Sequence, residues 1–228
     1  MTEIHRRIDT GVAHADSQTH SQAHTRAETH THAPAHAPAH ARAGHPAYAH
    51  LHRRTEELLR RWEAPDDSQE GLRREFLAHL AAHPDAMEKA GPPAHFTASC
   101  LVVSPDRDRV LLTLHRKAGQ WFQLGGHFEP ADAGPLEAAA REAHEESGLA
   151  GLRLHPRLVQ LDRHTLVGAF RRCREHLDLR YAAIAAPGSR PAVSAESLDV
   201  RWWPIDGLPA GSRQEISRLA AAALRALP

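Results

Sequence analysis

Residues 141–149 read Arg-Glu-Ala-His-Glu-Glu-Ser-Gly-Leu, and no other stretch restricts this chain as strongly. They close a predicted helix that starts near Pro135, a residue suited to a first helical turn, and stops at Gly148, a residue suited to the C-terminal cap. At about 100° per residue, Glu145 falls about 60° to one side of Glu142 and Glu146 about 40° to the other. Like charges so spaced cost an isolated helix about 0.2–0.5 kcal/mol per pair. The helix dipole disfavours anions at the same end. Two local rules broken together mark an expected functional site. Carboxylates gathered on one arc suit a hard divalent cation, magnesium or manganese, which removes the repulsion. Such an ion activates water and stabilises charge on a phosphoryl oxygen.

Arg141 lies about 100° round the helix from Glu142, off the metal-facing arc. Its guanidinium is expected to fork to a carboxylate and orient a ligand from behind. Upstream, residues 123–134 (QLGGHFEPADAG) read as a loop. Its paired Gly125 and Gly126 are expected to take φ > 0 or to let the backbone approach a ligand closely. A carbonyl of this loop is a further candidate metal ligand.

Residues 125–149 resemble the signature of the Nudix hydrolases: a glycine, five residues, a glutamate, seven residues, then Arg-Glu-apolar-any-Glu-Glu-any-Gly-apolar. Arg141, Glu142, Ala143, Glu145, Glu146, Gly148 and Leu149 match the second half, and Gly126 the first glycine. Asp132 holds the upstream glutamate position, and eight residues separate it from Arg141. The resemblance spans roughly residues 93–210. It implies an α+β fold, a mixed β-sheet between helices in an α/β/α sandwich. It implies metal-dependent hydrolysis of a diphosphate linkage in a nucleoside diphosphate derivative, by water attack at phosphorus. Mg2+, or Mn2+, would be held by Glu142, Glu145 and Glu146, with Arg141 beside them in the catalytic set. Glu196, ahead of a predicted strand, is a further candidate ligand or base; its plain alternative is a loop glutamate. Oxidised nucleoside triphosphates, nucleotide sugars and dinucleotides are all open as substrates. One rival is a catalytically silent ligand-binding or regulatory protein of the same fold, which would be expected to lose glutamates that this chain keeps. Another is an isoprenoid diphosphate isomerase, which needs a reactive cysteine that Cys100, in mid-strand, does not supply.

Three regions follow from composition. Residues 1–47 repeat Ala, His and Pro with almost no large apolar side chain, and such a stretch is expected to be disordered. Eleven of the 20 histidines lie between His5 and His52, so metal scavenging is the functional alternative for this tail. Residues 48–90 read as two helices forming a small N-terminal hairpin. Leu51, Thr55, Leu58, Leu59 and Trp62 share the first stripe, and Leu72, Phe76, Leu77 and Leu80 the second. Asp67 with Glu70 is read as the cap of the second helix, and KAGPP as a linker. Residues 91–228 form the main domain, with strands at HFTASCLVVS, DRVLLTLHR, LVQLDRHTLV, HLDLRYAAIA and DVRWWPI. A closing helix follows, with Ser212 as its expected N-cap.

Lys+Arg and Asp+Glu are both 28, which argues against a strongly basic surface and a stable nucleic-acid complex. Two cysteines supply neither a disulfide framework nor zinc spacing, and a reducing, cytoplasmic setting is expected. The N-terminus does not read as a secretory signal, and no membrane span is expected. The partner is a nucleotide-type small molecule; the oligomeric state is open, a homodimer included.

Outside the signature, His176, Asp178 and Arg180 alternate with Leu177, Leu179 and Tyr181 along one strand. The polar set either lines a substrate cleft or faces solvent. His115, Arg116 and Lys117 end a strand where they could meet phosphate, or form a charged hairpin end. Trp121 and Phe122 read as anchors more readily than as a base-stacking platform. His127 and His144 read as exposed, and Cys100 as a buried small hydrophobe.

Overall fold

The computed structural model describes residues 43–166, 173–195, 197–210, 212 and 214–228. The histidine-rich tail up to residue 42 and Glu196 lie outside them. Helices α1 (Ala49–Arg61) and α2 (Asp67–Ala82) come first. Strands β1 (Ala94–Val103), β2 (Arg109–His115), β3 (Trp121–Phe122) and β4 (Leu124–His127) lead to α3 (Pro135–Ser147). Then come β5 (Arg153–Leu154), β6 (Gln160–Thr165), β7 (Glu175–Ile184), β8 (Ser197–Pro204) and α4 (Gln214–Ala226).

The eight strands form one mixed sheet. β1 runs at its centre, parallel to β7 and antiparallel to β2 and β4. β6 and β5 extend the sheet beyond β7, and β8 pairs with β2. Side-chain alternation along β1 decides what each face carries. Phe96, Ala98, Cys100 and Val102 point into a core shared with α1, α2 and α3. Leu101 and Val103 point the other way, under Ile216, Leu219, Ala220 and Ala223 of α4. Those four recur at helical spacing, so α4 closes the second layer with one apolar stripe. Residues Thr97 and Ser99 share that second face, beyond the apolar part, and line a cleft of about 530 Å³.

The N-terminal hairpin belongs to the main core. Leu51, Leu59, Phe76 and Leu80 are fully buried in the cluster that contains Phe96 and Leu161. Phe76 meets Phe96 edge to face at 5.4 Å. Gln69 treats β6 as a neighbouring strand would: its amide donates to the Leu161 carbonyl at 3.1 Å and accepts from the Leu161 N–H at 2.7 Å. The Trp62 indole N–H donates to the Leu158 carbonyl. These contacts cover an edge that would otherwise expose unpaired backbone groups. The cap of α2 differs from the sequence expectation by one residue. Asp66, with extended backbone, accepts from the Gln69 N–H, and Asp67 is already helical. Ser212 donates its hydroxyl to the Pro209 carbonyl. Among the described residues no helix is long and apolar enough to cross a membrane.

Candidate active site

Small side chains set the position of the glutamate helix. Ala138, Ala139 and Ala143 are fully buried on α3, so the helix lies close against the sheet. It starts at Pro135 and ends at Gly148, whose φ of 64° is the left-handed value that favours glycine.

The paired glycines are strand residues of β4, a correction to the loop reading. Neither has positive φ. Their role is close approach. A Cβ on Gly126 would sit 2.6 Å from a carboxylate oxygen of Glu142, and one on Gly125 would sit 2.4 Å from the Ser99 Cβ. The Gly125 N–H donates to Glu146 at 2.9 Å, so β4 and α3 are joined through a candidate metal ligand.

Arg141 ties the site together. It forks onto Asp132 through Nε at 2.9 Å and Nη2 at 3.1 Å. It also donates to Glu142 at 3.0 Å, Glu145 at 3.1 Å and the His127 carbonyl at 2.9 Å. Asp132, with the nearby Glu142 carboxylate, holds this guanidinium yet more firmly protonated than a free arginine. The buried Asp132 also accepts from the Glu129 N–H at 2.7 Å, and its own carbonyl accepts from His50 Nε2 of α1 at 2.8 Å. A turn from Glu129 to Asp132 thus presents the Asp132 carboxylate to Arg141.

The donor chemistry of Glu142, Glu145 and Glu146 fits a hard cation, and the Gly126 cradle leaves room for one of them. Among the described residues the three carboxylates do not form one close group. Glu142 and Glu145 reach Arg141, and Glu146 reaches the Gly125 N–H. Among the described residues, the His/Cys/Asp/Glu group whose ligand atoms do converge is His95, His127, Cys173 and His176.

The polar row of β7 is buried in the cleft wall. Asp178 and Arg180 are 2% and 1% exposed, so this face does not look to solvent. Asp178 accepts from Thr97, Ser99, Gln123 and Arg180. Arg180 also donates to Asp162 of β6. His176, His115 and Lys117 line the same cleft, with Phe122, Gly125, Gly126 and Glu146. Arg116 does not line it; its guanidinium donates to the Ala195 and Ser197 carbonyls. Trp121 stacks edge-on with Trp203 at 5.2 Å as an anchor. His144 is exposed, but His127 is not: its Nε2 lies 3.1 Å from that of His95. Burial, with His95 and Lys89 nearby, lowers the His127 pKa to about 3. Cys100 is fully buried, which pushes its thiol up to about 12.

Sequence reasoning missed Thr97, Ser99 and Gln123. Gln123 holds Asp178 with its amide N–H, while its carbonyl oxygen is buried without a partner in the cleft wall. Its place just before the glycine pair was the available signal.

A family model described as the NUDIX domain matches residues 93–224. Among solved structures, a hydrolase of the NUDIX family from Clostridium perfringens is 31% identical, with 57% of this chain and 96% of that chain covered and a TM-score of 0.45. An Ap4A hydrolase from C. elegans is 16% identical, covering 56% of this chain and 93% of its own, at a TM-score of 0.48. A MutT NUDIX hydrolase from Burkholderia pseudomallei is 23% identical over 57% of this chain and 98% of its own, with a TM-score of 0.43. No curated protein matches.

Proposed function

The chain belongs to the Nudix family, and from that premise we propose that it hydrolyses a diphosphate linkage in a nucleoside diphosphate derivative by water attack at phosphorus. The observation that carries this reading is the Arg141 hub, which fixes the glutamate helix against β4 at the wall of a 530 Å³ cleft. Glu142, Glu145 and Glu146 would hold Mg2+ or Mn2+. When bound, the ion supplies Lewis-acid stabilisation of phosphoryl charge and lowers the pKa of water.

The chain's own work is positioning, as in phosphoryl transfer generally. Arg141 donates to Glu142 and Glu145 and sets the orientation of both through one guanidinium. The Gly125 N–H holds Glu146 at the cleft wall. Lys117 supplies positive charge in the cleft for an anionic substrate, and Phe122 an aromatic edge. Asp178 spends its lone pairs on four neighbours, so its part is to brace Gln123 and Arg180 rather than to take a proton.

A panel of nucleoside diphosphate derivatives with Mg2+ tests the reading, comparing wild type with Glu145→Gln and Glu146→Gln. At least one compound is expected to be turned over, with kcat falling about 100-fold or more in each variant. If no diphosphate compound is hydrolysed faster by wild type than by the variants, the proposal fails.

A further inference from the structure

We propose that His95, His127, Cys173 and His176 form a second metal site, separate from the glutamates, for a borderline-soft divalent transition ion of the zinc class. One ligand atom from each lies within 4.8 Å of the others. A tetrahedral zinc with bonds of about 2.0–2.3 Å places its ligand atoms about 3.3–3.8 Å apart. The two Nε2 atoms of His95 and His127, at 3.1 Å, are already that close. The rest of the group needs a contraction of about 1 Å, within rotamer reach of a half-buried cysteine.

Sheet register brings these residues together. His95 of β1 pairs directly with His176 of the parallel β7. His127 of β4 pairs with Thr97, two residues along β1 from His95, and so shares its face. Cys173 stands just before β7. His127, Cys173 and His176 all line the cleft that Glu146 also lines.

Three observations point to a ligand rather than to a packed cluster. His95 Nδ1 lies 3.0 Å from the Pro92 carbonyl, which can only accept, so Nδ1 carries the proton. That leaves the His95 Nε2 lone pair facing the group, where it accepts from the His127 Nε2–H at 3.1 Å until an ion displaces that proton; the bond to Pro92 is an outer hydrogen bond of the kind that fixes the tautomer of metal-bound histidine. His176 Nε2 is buried with no hydrogen-bond partner. A buried polar atom left so costs about 1–3 kcal/mol, which a bound cation would relieve. His95 is buried and His127, Cys173 and His176 are half-buried, and burial favours the neutral imidazole, the form that binds metal. Lys89 opposes a cation from the cleft rim, but its side chain is exposed and can turn outward. Imidazole and thiolate select a different ion from the oxygen donors of α3, so the two sites need not compete.

The test uses the full chain, stripped with a chelator and titrated with Co2+. A thiolate-to-cobalt charge-transfer band with tetrahedral d–d absorption is expected, saturating at a single equivalent and lost on adding Zn2+. Residues 1–47 contain no cysteine, so their histidines cannot produce the thiolate band. Cys173→Ser is expected to abolish that band, and His176→Gln to weaken cobalt binding about 10-fold or more. Cys100→Ser and Glu145→Gln are expected to leave it intact. Circular dichroism of each variant shows whether the fold is kept. Absence of the band in wild type, or its persistence in Cys173→Ser, overturns the proposal. Neither result bears on diphosphate hydrolysis, because no substrate is present.

Discussion

Gly125 and Gly126 are adjacent, yet substitution should separate stability from activity. The three atoms nearest a Cβ on Gly126 all belong to the Glu142 carboxylate, the far end of a flexible side chain. Gly126→Ala should therefore move Glu142 and leave the fold nearly as stable, with a change under about 1 kcal/mol. On the proposed function, its turnover with Mg2+ should fall about 10–100-fold, the usual effect of disturbing what orients a metal ligand. A Cβ on Gly125 instead meets Ser99 Cβ at 2.4 Å and Ser99 Cα at 2.7 Å, part of the central strand. Gly125→Ala should cost about 1–3 kcal/mol of stability through overpacking. Urea melts and Mg2+-dependent kinetics on the two variants check this; equal losses of stability would show that Glu142 does not fill the Gly126 cradle. The same residues mark where the sequence could be read and where it misled. A Gly-Gly pair has no β-propensity, so it read as a loop. Pairing to β1 overrode that preference, and the need for glycine came from Ser99 of β1 at Gly125 and from Glu142 of α3, sixteen residues further on, at Gly126.

Among the elements, the α1–α2 hairpin precedes the region that matches the family, but its contacts make it part of the catalytic domain. Phe76 is fully buried against Phe96, and Gln69 completes the edge of β6. Phe76→Ala should cost about 3–5 kcal/mol, and Gln69→Ala, which strands two backbone groups of Leu161, about 1–3 kcal/mol. Thermal melts of the two variants that overlay wild type would show the hairpin to be an appendage. Because His50 of α1 holds the Asp132 carbonyl, the hairpin also steadies the turn behind Arg141. Elements with a strong period or clear punctuation were legible in the sequence: α3 between Pro135 and Gly148, the alternation of β7, the closing helix α4. The local site was legible for the same reason, since Asp132 to Glu146 is one continuous segment. The docking of the hairpin was not, because Gln69 and Leu161 meet only in the folded chain. The histidine–cysteine group was hidden likewise. Its members run from residue 95 to 176 and meet through a parallel strand pair that no local pattern encodes.

The whole molecule feels that group through its proton balance. Three strands carry histidines in register, His164 opposite His176 and His176 opposite His95, and His127 packs on both His95 and His176. Burial first, then the neighbouring imidazoles and Lys89, holds His127 at about 3 and His176 at about 2. An unfolded histidine titrates near about 6.5. Below that pH the unfolded chain takes up protons that the folded chain refuses. Stability that is complete above about pH 6.5 is therefore lost as the pH falls towards the folded values. By about pH 5 a single such histidine accounts for about 2 kcal/mol, from about 1.5 pH units at about 1.4 kcal/mol each. The histidines do not add, because each is depressed partly by the others. Chelator-treated protein is the sample to use, since a bound ion would hold the rings neutral by itself. Its melting temperature should fall between pH 7 and pH 5, and His176→Gln should flatten that slope while lowering the neutral-pH value little. A wild-type melting temperature that stays level from pH 7 to pH 5 would mean that these rings take up protons in the folded state, and that water reaches them more freely than their burial implies.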